Sequence, residues 1–160
     1  MIILGLDPGL ASTGFGLIKA TKNSPTLLKC GYIKTHQKDA VSVRLSQIYS
    51  DINAIIKEEF PDMMAIENVF SLVRYPKAGI LLGCVLGVIY VIASNNNIRL
   101  MEVTPKEVKN SLIGYGNADK KQIKKMVQHI FNVEQIKSFH AADALAIALT
   151  AFYRMKKESL

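Results

Sequence analysis

Cysteine is scarce in this sequence: Cys30 and Cys84 stand far apart and form neither a CxxC pair nor a spaced set. That excludes a disulfide-stapled scaffold and a thiolate zinc site, and both residues read as reduced thiols. No HExxH stretch is present, which removes the metalloprotease reading. Linkers, repeats and low-complexity tracts are also missing, so the 160 residues read as one domain spanning 1–160 with one core. The N-terminus enters an apolar strand with no basic segment and no small-residue cleavage site, so no signal peptide is expected and the cytoplasm is the expected location. Acidic residues are outnumbered, 13 Asp and Glu against 20 Lys and Arg, giving a net charge of +7. A basic surface favours a polyanionic partner but does not by itself choose nucleic acid over acidic lipid.

Long uncharged runs are limited to one, Ala78 to Ala93, which carries Gly83 and Gly87 in a GxxxG arrangement. It falls short of the roughly 20 apolar residues that cross a bilayer. We expect a helix buried in a core or a subunit interface, with no membrane association.

Around that run the elements alternate in a readable order. Ile2 to Leu6 is a short apolar run broken by Asp7-Pro8-Gly9, which predicts a central strand, and Gly14 to Ala20 and Leu27 to Thr35 continue it as an antiparallel meander. Val43, Ile48, Ile52, Ile55 and Ile56 repeat at helical spacing up to Phe60, where Pro61 stops the pattern. Met63 to Ile66 is a fourth strand ending at Glu67, and Ile98 to Val103 a fifth. Thr104-Pro105 with Glu107 predicts a capped helix ended by Gly114 and Gly116; Lys120 to Phe131 and His140 to Met155 predict two more. The sum is an α/β fold, one five-stranded mixed sheet flanked by helices.

Three segments carry chemistry. Asp7 and Glu67 each end a strand, where a rigid sheet edge holds a carboxylate, although singly each is as readily a turn residue or a solvent-facing charge. His140 and Asp143 stand three apart, hence on one face at the start of a helix whose later residues are almost wholly apolar. Acids gathered in one place repel unless a cation neutralises them, and carboxylate oxygens with one imidazole suit Mg²⁺ or Mn²⁺.

Gly5-Leu6-Asp7-Pro8-Gly9, Thr13-Gly14, Ala65-Ile66-Glu67-Asn68-Val69-Phe70 and His140-Ala141-Ala142-Asp143-Ala144 resemble the signature segments of the RuvC family, in order and over essentially the whole chain. The resemblance implies an RNase H-like fold with three antiparallel and then two parallel strands. It also implies Holliday junction resolution by paired, symmetric nicks. Asp7, Glu67, His140 and Asp143 would be the catalytic metal ligands for two Mg²⁺ ions, with Mn²⁺ as a substitute; the family carries either Asp or His where His140 stands. Phe70 resembles an aromatic that the family wedges against bases at the junction, and Lys109 and Lys120 match lysines near the scissile phosphates. Lys121, Lys124 and Lys125 extend that basic surface, on what is equally a solvated helix face. The family is dimeric, which points to a homodimer through the Ala78–Ala93 helix, and RuvA and RuvB would be its partners on four-way junction DNA.

One departure stands out. Where many members carry Leu-Gly-Gln-Ala-Arg-Gly, this chain has Leu82-Gly83-Cys84-Val85-Leu86-Gly87, and the Arg is missing. Arg74 and Lys77, just upstream, are the candidate replacements for its phosphate contact. Two other readings remain open at this point: an RNase H-like nuclease that processes ribosomal RNA precursors, and a junction-binding protein without activity. Phosphate-loop ATPases of the actin and sugar-kinase type need two such domains, and the chain is too short.

Overall fold

A computed structural model describes residues 1–21, 24–68 and 76–158. The strands are β1 (Ile2–Asp7), β2 (Ser12–Ala20), β3 (Pro25–Lys34), β4 (Met63–Glu67) and β5 (Arg99–Val103). They form one sheet in the order β3-β2-β1-β4-β5. β1 pairs antiparallel with β2 and parallel with β4, and β4 pairs parallel with β5, so the expected mixed sheet is present with β1 at its centre.

The helices are α1 (Val41–Glu59), α2 (Pro76–Asn95), α3 (Pro105–Ile113), α4 (Lys120–Phe131) and α5 (Phe139–Glu158). They cover both faces, which is why the central strands are apolar throughout rather than alternating. Alternate side chains still sort by face. Leu4 and Leu6 of β1 and Met64 and Ile66 of β4 pack with Ile48, Ile52 and Ile56 of α1 and Val85, Ile89 and Ile92 of α2. Ile3, Met63 and Ala65 point the other way, into a core completed by α3, α4 and α5.

The periodicity of α1 ends as the sequence predicts. Phe60 turns into the left-handed region (φ 48°), its N–H donates to the Ile56 carbonyl, and Pro61 follows, which cannot continue a helix. The capping box expected at α3 is also present: the Glu107 N–H donates to the Thr104 hydroxyl, and the Thr104 N–H donates to the Glu107 carboxylate.

α5 lies close to the sheet, and alanine is frequent on its buried side: Ala141, Ala142, Ala144, Ala146, Ala148 and Ala151 are buried, alongside Leu145, Ile147, Leu149 and Phe152. The sheet gives way as well. A Cβ on Gly5 would strike the Ala144 carbonyl oxygen, and one on Gly14 the His140 carbonyl oxygen. Glycine is required at both positions because the helix backbone itself occupies the space.

α2 is the apolar run. It is long and apolar enough to cross a membrane, yet Val85, Leu86, Ile89, Ile92 and Ala93 are buried against α1 and the sheet. The opposite face, with Ile80, Gly83, Cys84, Gly87 and Val91, is exposed.

Candidate active site

β1 and β4 run parallel with Leu6 beside Ile66, so the next residue of each strand, Asp7 and Glu67, leaves the sheet at the same end on the same face. That face is the one Gly5 presents to α5. The first turn of α5 therefore comes to rest over the strand ends, carrying His140 and Asp143. Asp7, Glu67 and Asp143 line one cleft of about 350 Å³ together with Lys109 of α3 and Lys120 of α4; Pro105, Val108, Ala118, Ile123 and Ile147 form its apolar wall. His140 sits at the rim, with its Nδ1 2.9 Å from Asp7 Oδ2. Lys120 Nζ donates to Asp143 Oδ2 at 3.0 Å.

Burial and crowding show in the electrostatics. Asp7 is held above the usual carboxylate range, chiefly by desolvation; the hydrogen bond from His140 opposes this and the Asp143 charge adds to it. Glu67 is pushed up to about 7, first by desolvation and then by repulsion from Asp7 and Asp143, against the pull of Lys120 and Lys109. Desolvation works to lower Lys120, but its hydrogen bond to Asp143 and the charges of Asp143, Asp7 and Glu67 outweigh it and raise it. Two lysines do not satisfy three half-buried acids.

The donor set fits a divalent cation. Three carboxylates and an imidazole at one sheet end are hard ligands with an unmet need for positive charge, and no thiolate is near. Among the described residues, no three His, Cys, Asp or Glu side chains are already drawn into one coordination shell. Asp7 leans on His140 and Asp143 on Lys120, each through Oδ2.

The sequence-predicted DNA contacts fall into three groups. Lys109 and Lys120 line the cleft. Lys121 is exposed on the first turn of α4 and Lys77 on the first turn of α2, outside the cleft lining. Phe70 and Arg74 lie outside the described residues. Leu86, where many family members have Arg, is buried on the α1-facing side of α2, so its side chain belongs to the core here.

Sequence reading missed the supports. Asp119 caps α4, its carboxylate accepting from the Gln122 N–H while the Gln122 side chain accepts from the Asp119 N–H. This box fixes the turn that carries Lys120, and its D-x-x-Q spacing is visible in the chain. Asn68, next to Glu67, donates to Glu102 Oε2 at 2.6 Å, and Tyr90 of α2 donates to Glu102 Oε1 at 2.7 Å. No local pattern joins those three.

A half-buried cluster of acids at the shared end of two parallel strands, crossed by a helix N-terminus, defines an RNase H-like metal-dependent nuclease. The sequence profile of crossover junction endodeoxyribonuclease RuvC matches residues 3–151. The crossover junction endodeoxyribonuclease RuvC of Natranaerobius thermophilus is 38% identical over 159 residues, covering 98% of each chain. That of Alkaliphilus oremlandii is 42% identical over 150 residues, covering 93% of this chain and 91% of its own. A structure of Thermus thermophilus RuvC in complex with Holliday junction substrate superposes with a TM-score of 0.87 at 27% identity, over 97% of this chain and 96% of that one. The chain belongs to the RuvC family, and it is a crossover junction endodeoxyribonuclease dependent on divalent metal. Neither the RNA-processing alternative nor the inactive junction binder is favoured.

Proposed function

We propose that the protein resolves Holliday junctions, nicking two opposed strands of a four-way DNA junction symmetrically during homologous recombination and repair. The observation that carries this is the convergence of Asp7, Glu67 and Asp143 in one cleft of a RuvC-family chain.

Asp7, Glu67, His140 and Asp143 would hold Mg²⁺, two ions per site, with Mn²⁺ as a working substitute. Such ions supply a water acidic enough to attack phosphorus at neutral pH and a positive charge beside the leaving 3′ oxygen. The rest is the work of side chains. With Nδ1 of His140 engaged by Asp7, Nε2 is the atom left to take a proton or a ligand bond. Lys109 and Lys120 bring ammonium groups to the cleft wall, where they hold the scissile phosphate against the acids. Lys121, Lys77 and Arg74 extend the phosphate contacts, and Phe70, following the catalytic strand, wedges against bases at the crossover.

The active form is a homodimer. The exposed side of α2 is apolar, and a Cβ on Gly83 or Gly87 would meet nothing within 4 Å, so two such helices can approach closely about a two-fold axis. A two-fold dimer offers two clefts to a junction of matching symmetry. By family analogy a RuvA–RuvB branch-migration complex delivers that junction, and the cytoplasm is the compartment.

The decisive experiment incubates the purified protein and Mg²⁺ with a synthetic four-way junction, beside linear duplex and RNA–DNA hybrid controls, on a denaturing gel. Paired nicks confined to the junction are expected; cutting of the hybrid would transfer the function to RNA processing. Asp7→Asn is expected to abolish cleavage while junction binding persists, and retained cleavage would remove Asp7 from the mechanism.

A further inference from the structure

A second surface beside the cleft has the chemistry of a strand-binding track. Phe139 directly precedes His140 and is 43% exposed, and Lys124 Nζ stands 4.7 Å from its ring centroid. Lys124 is one helical turn beyond Lys120, so the basic face that begins at the cleft continues to the Phe139 ring. On the other side of Ser138 a groove of about 540 Å³ opens between the edge strand β3 and the segment leading into α5, with Tyr32, Cys30, Lys137 and Ser138 in its lining. Tyr32 is 49% exposed. Around the chain entering α5, two lysines, Lys124 and Lys137, and two aromatics, Phe139 and Tyr32, are therefore gathered.

This is the composition that grips an unpaired strand: ammonium groups for the phosphates and open rings for the bases, whose π-faces stack without regard to sequence. A paired duplex offers no free base face to Phe139 or Tyr32. We infer that Phe139, held under Lys124, and Tyr32 in the adjoining groove receive unpaired nucleotides of the scissile junction strand where it emerges from the cleft, before it is cut. The inference rests on the resolvase reading and adds positioning contacts distinct from Phe70. Phe139 is the stacking contact nearest the scissile phosphate, and Lys124 both covers one face of the ring and faces the backbone charge.

The test measures binding without divalent metal, so that cleavage does not interfere, using a junction and a linear duplex at one salt concentration. Phe139→Ala is compared with Phe139→Tyr, and 2-aminopurine is placed at each position flanking the cleavage site. Phe139→Ala is expected to weaken junction binding about tenfold, the scale of one lost base stack, while duplex binding and Tm stay unchanged. Phe139→Tyr should restore the affinity. Quenching of 2-aminopurine at one flanking position should be present in the wild type and Phe139→Tyr and absent from Phe139→Ala. Equal junction affinity in wild type and Phe139→Ala, or equal losses on junction and duplex, would overturn the track while leaving the resolvase intact. A wild type that neither binds nor cuts the junction would overturn both.

Discussion

Glu67 carries the heaviest charge penalty in the cleft, and that penalty can be measured. Desolvation, with repulsion from Asp7 and Asp143, raises its carboxyl from 4.5 to about 7. A carboxyl raised on folding binds its proton more tightly in the native state, so its contribution to stability is complete below pH 4.5 and is lost as pH climbs through 7. At about 1.4 kcal/mol per unit, ionising Glu67 costs the metal-free fold about 3 kcal/mol at pH 8, an upper value because solvent reaches part of the side chain. For a chain of this length that is roughly 6–12 °C in Tm. Glu67→Gln keeps the shape and removes the charge. In EDTA at pH 8 the variant should melt above the wild type by up to roughly 6–12 °C, and the gap should close as the pH is lowered toward 4.5. Saturating Mg²⁺ should raise the wild-type Tm and leave that of the variant nearly unmoved. Equal melting temperatures at pH 8, or a gap that survives acidification, would refute the claim that unneutralised charge strains this site.

Three further outcomes follow from the packing. Gly5→Ala puts a methyl against the Ala144 carbonyl and the Ala148 backbone, which should cost about 1–3 kcal/mol in a thermal melt. By displacing α5 it should also lower cleavage of a junction about 100-fold, because roughly 1 Å of misplacement at a reacting centre has that effect. Val91→Glu adds a charge to the exposed apolar side of α2 and should turn a sedimenting dimer into a folded monomer; an unchanged dimer would place the two-fold elsewhere. Thr104→Ala removes the capping box of α3, and a loss of about 1 kcal/mol, roughly 2–4 °C, with junction cleavage retained, is the expected result.

The residues that meet at the cleft were legible because each stands at an element boundary that the chain marks. Asp7 precedes Pro8-Gly9, Glu67 closes an apolar run, and His140 and Asp143 open an apolar helix. The elements themselves followed from hydrophobic period and punctuation, and α3 even from its cap. The central place of Ile2–Leu6 was legible too; strand register was not, because it depends on pairing between residues some 60 apart, such as Leu4 with Met64. The glycines opposite α5 were legible only as motif letters; that Gly5 and Gly14 face helix backbone is a property of two elements meeting. The same holds for the pairs that set the charge balance, Asp7 with His140 and Lys120 with Asp143, which are 133 and 23 residues apart. Leu86 shows the converse: the sequence flagged a missing Arg, and burial supplies the reason a Leu is stable there.

One geometric demand underlies both the core and the chemistry. For α5 to lie against β1 and β2, side chains must be absent from the sheet at Gly5 and Gly14 and small on the helix where it meets Gly5, at Ala144 and Ala148, which gives up some of the apolar area that larger side chains would bury there. The return is position: the helix start is pressed onto the strand ends, and Asp143 reaches the cleft with only 19% of its side chain exposed. Close approach also excludes the water that would otherwise screen three acids from one another, which is why Glu67 rises so far. An imidazole at position 140 eases the conflict, since His140 bonds to Asp7 and offsets part of the rise that a fourth carboxylate would increase. The helix contact that builds the site is thus the same contact that makes it short of positive charge, so a divalent cation is at once the cofactor the chemistry needs and the ligand that completes the fold.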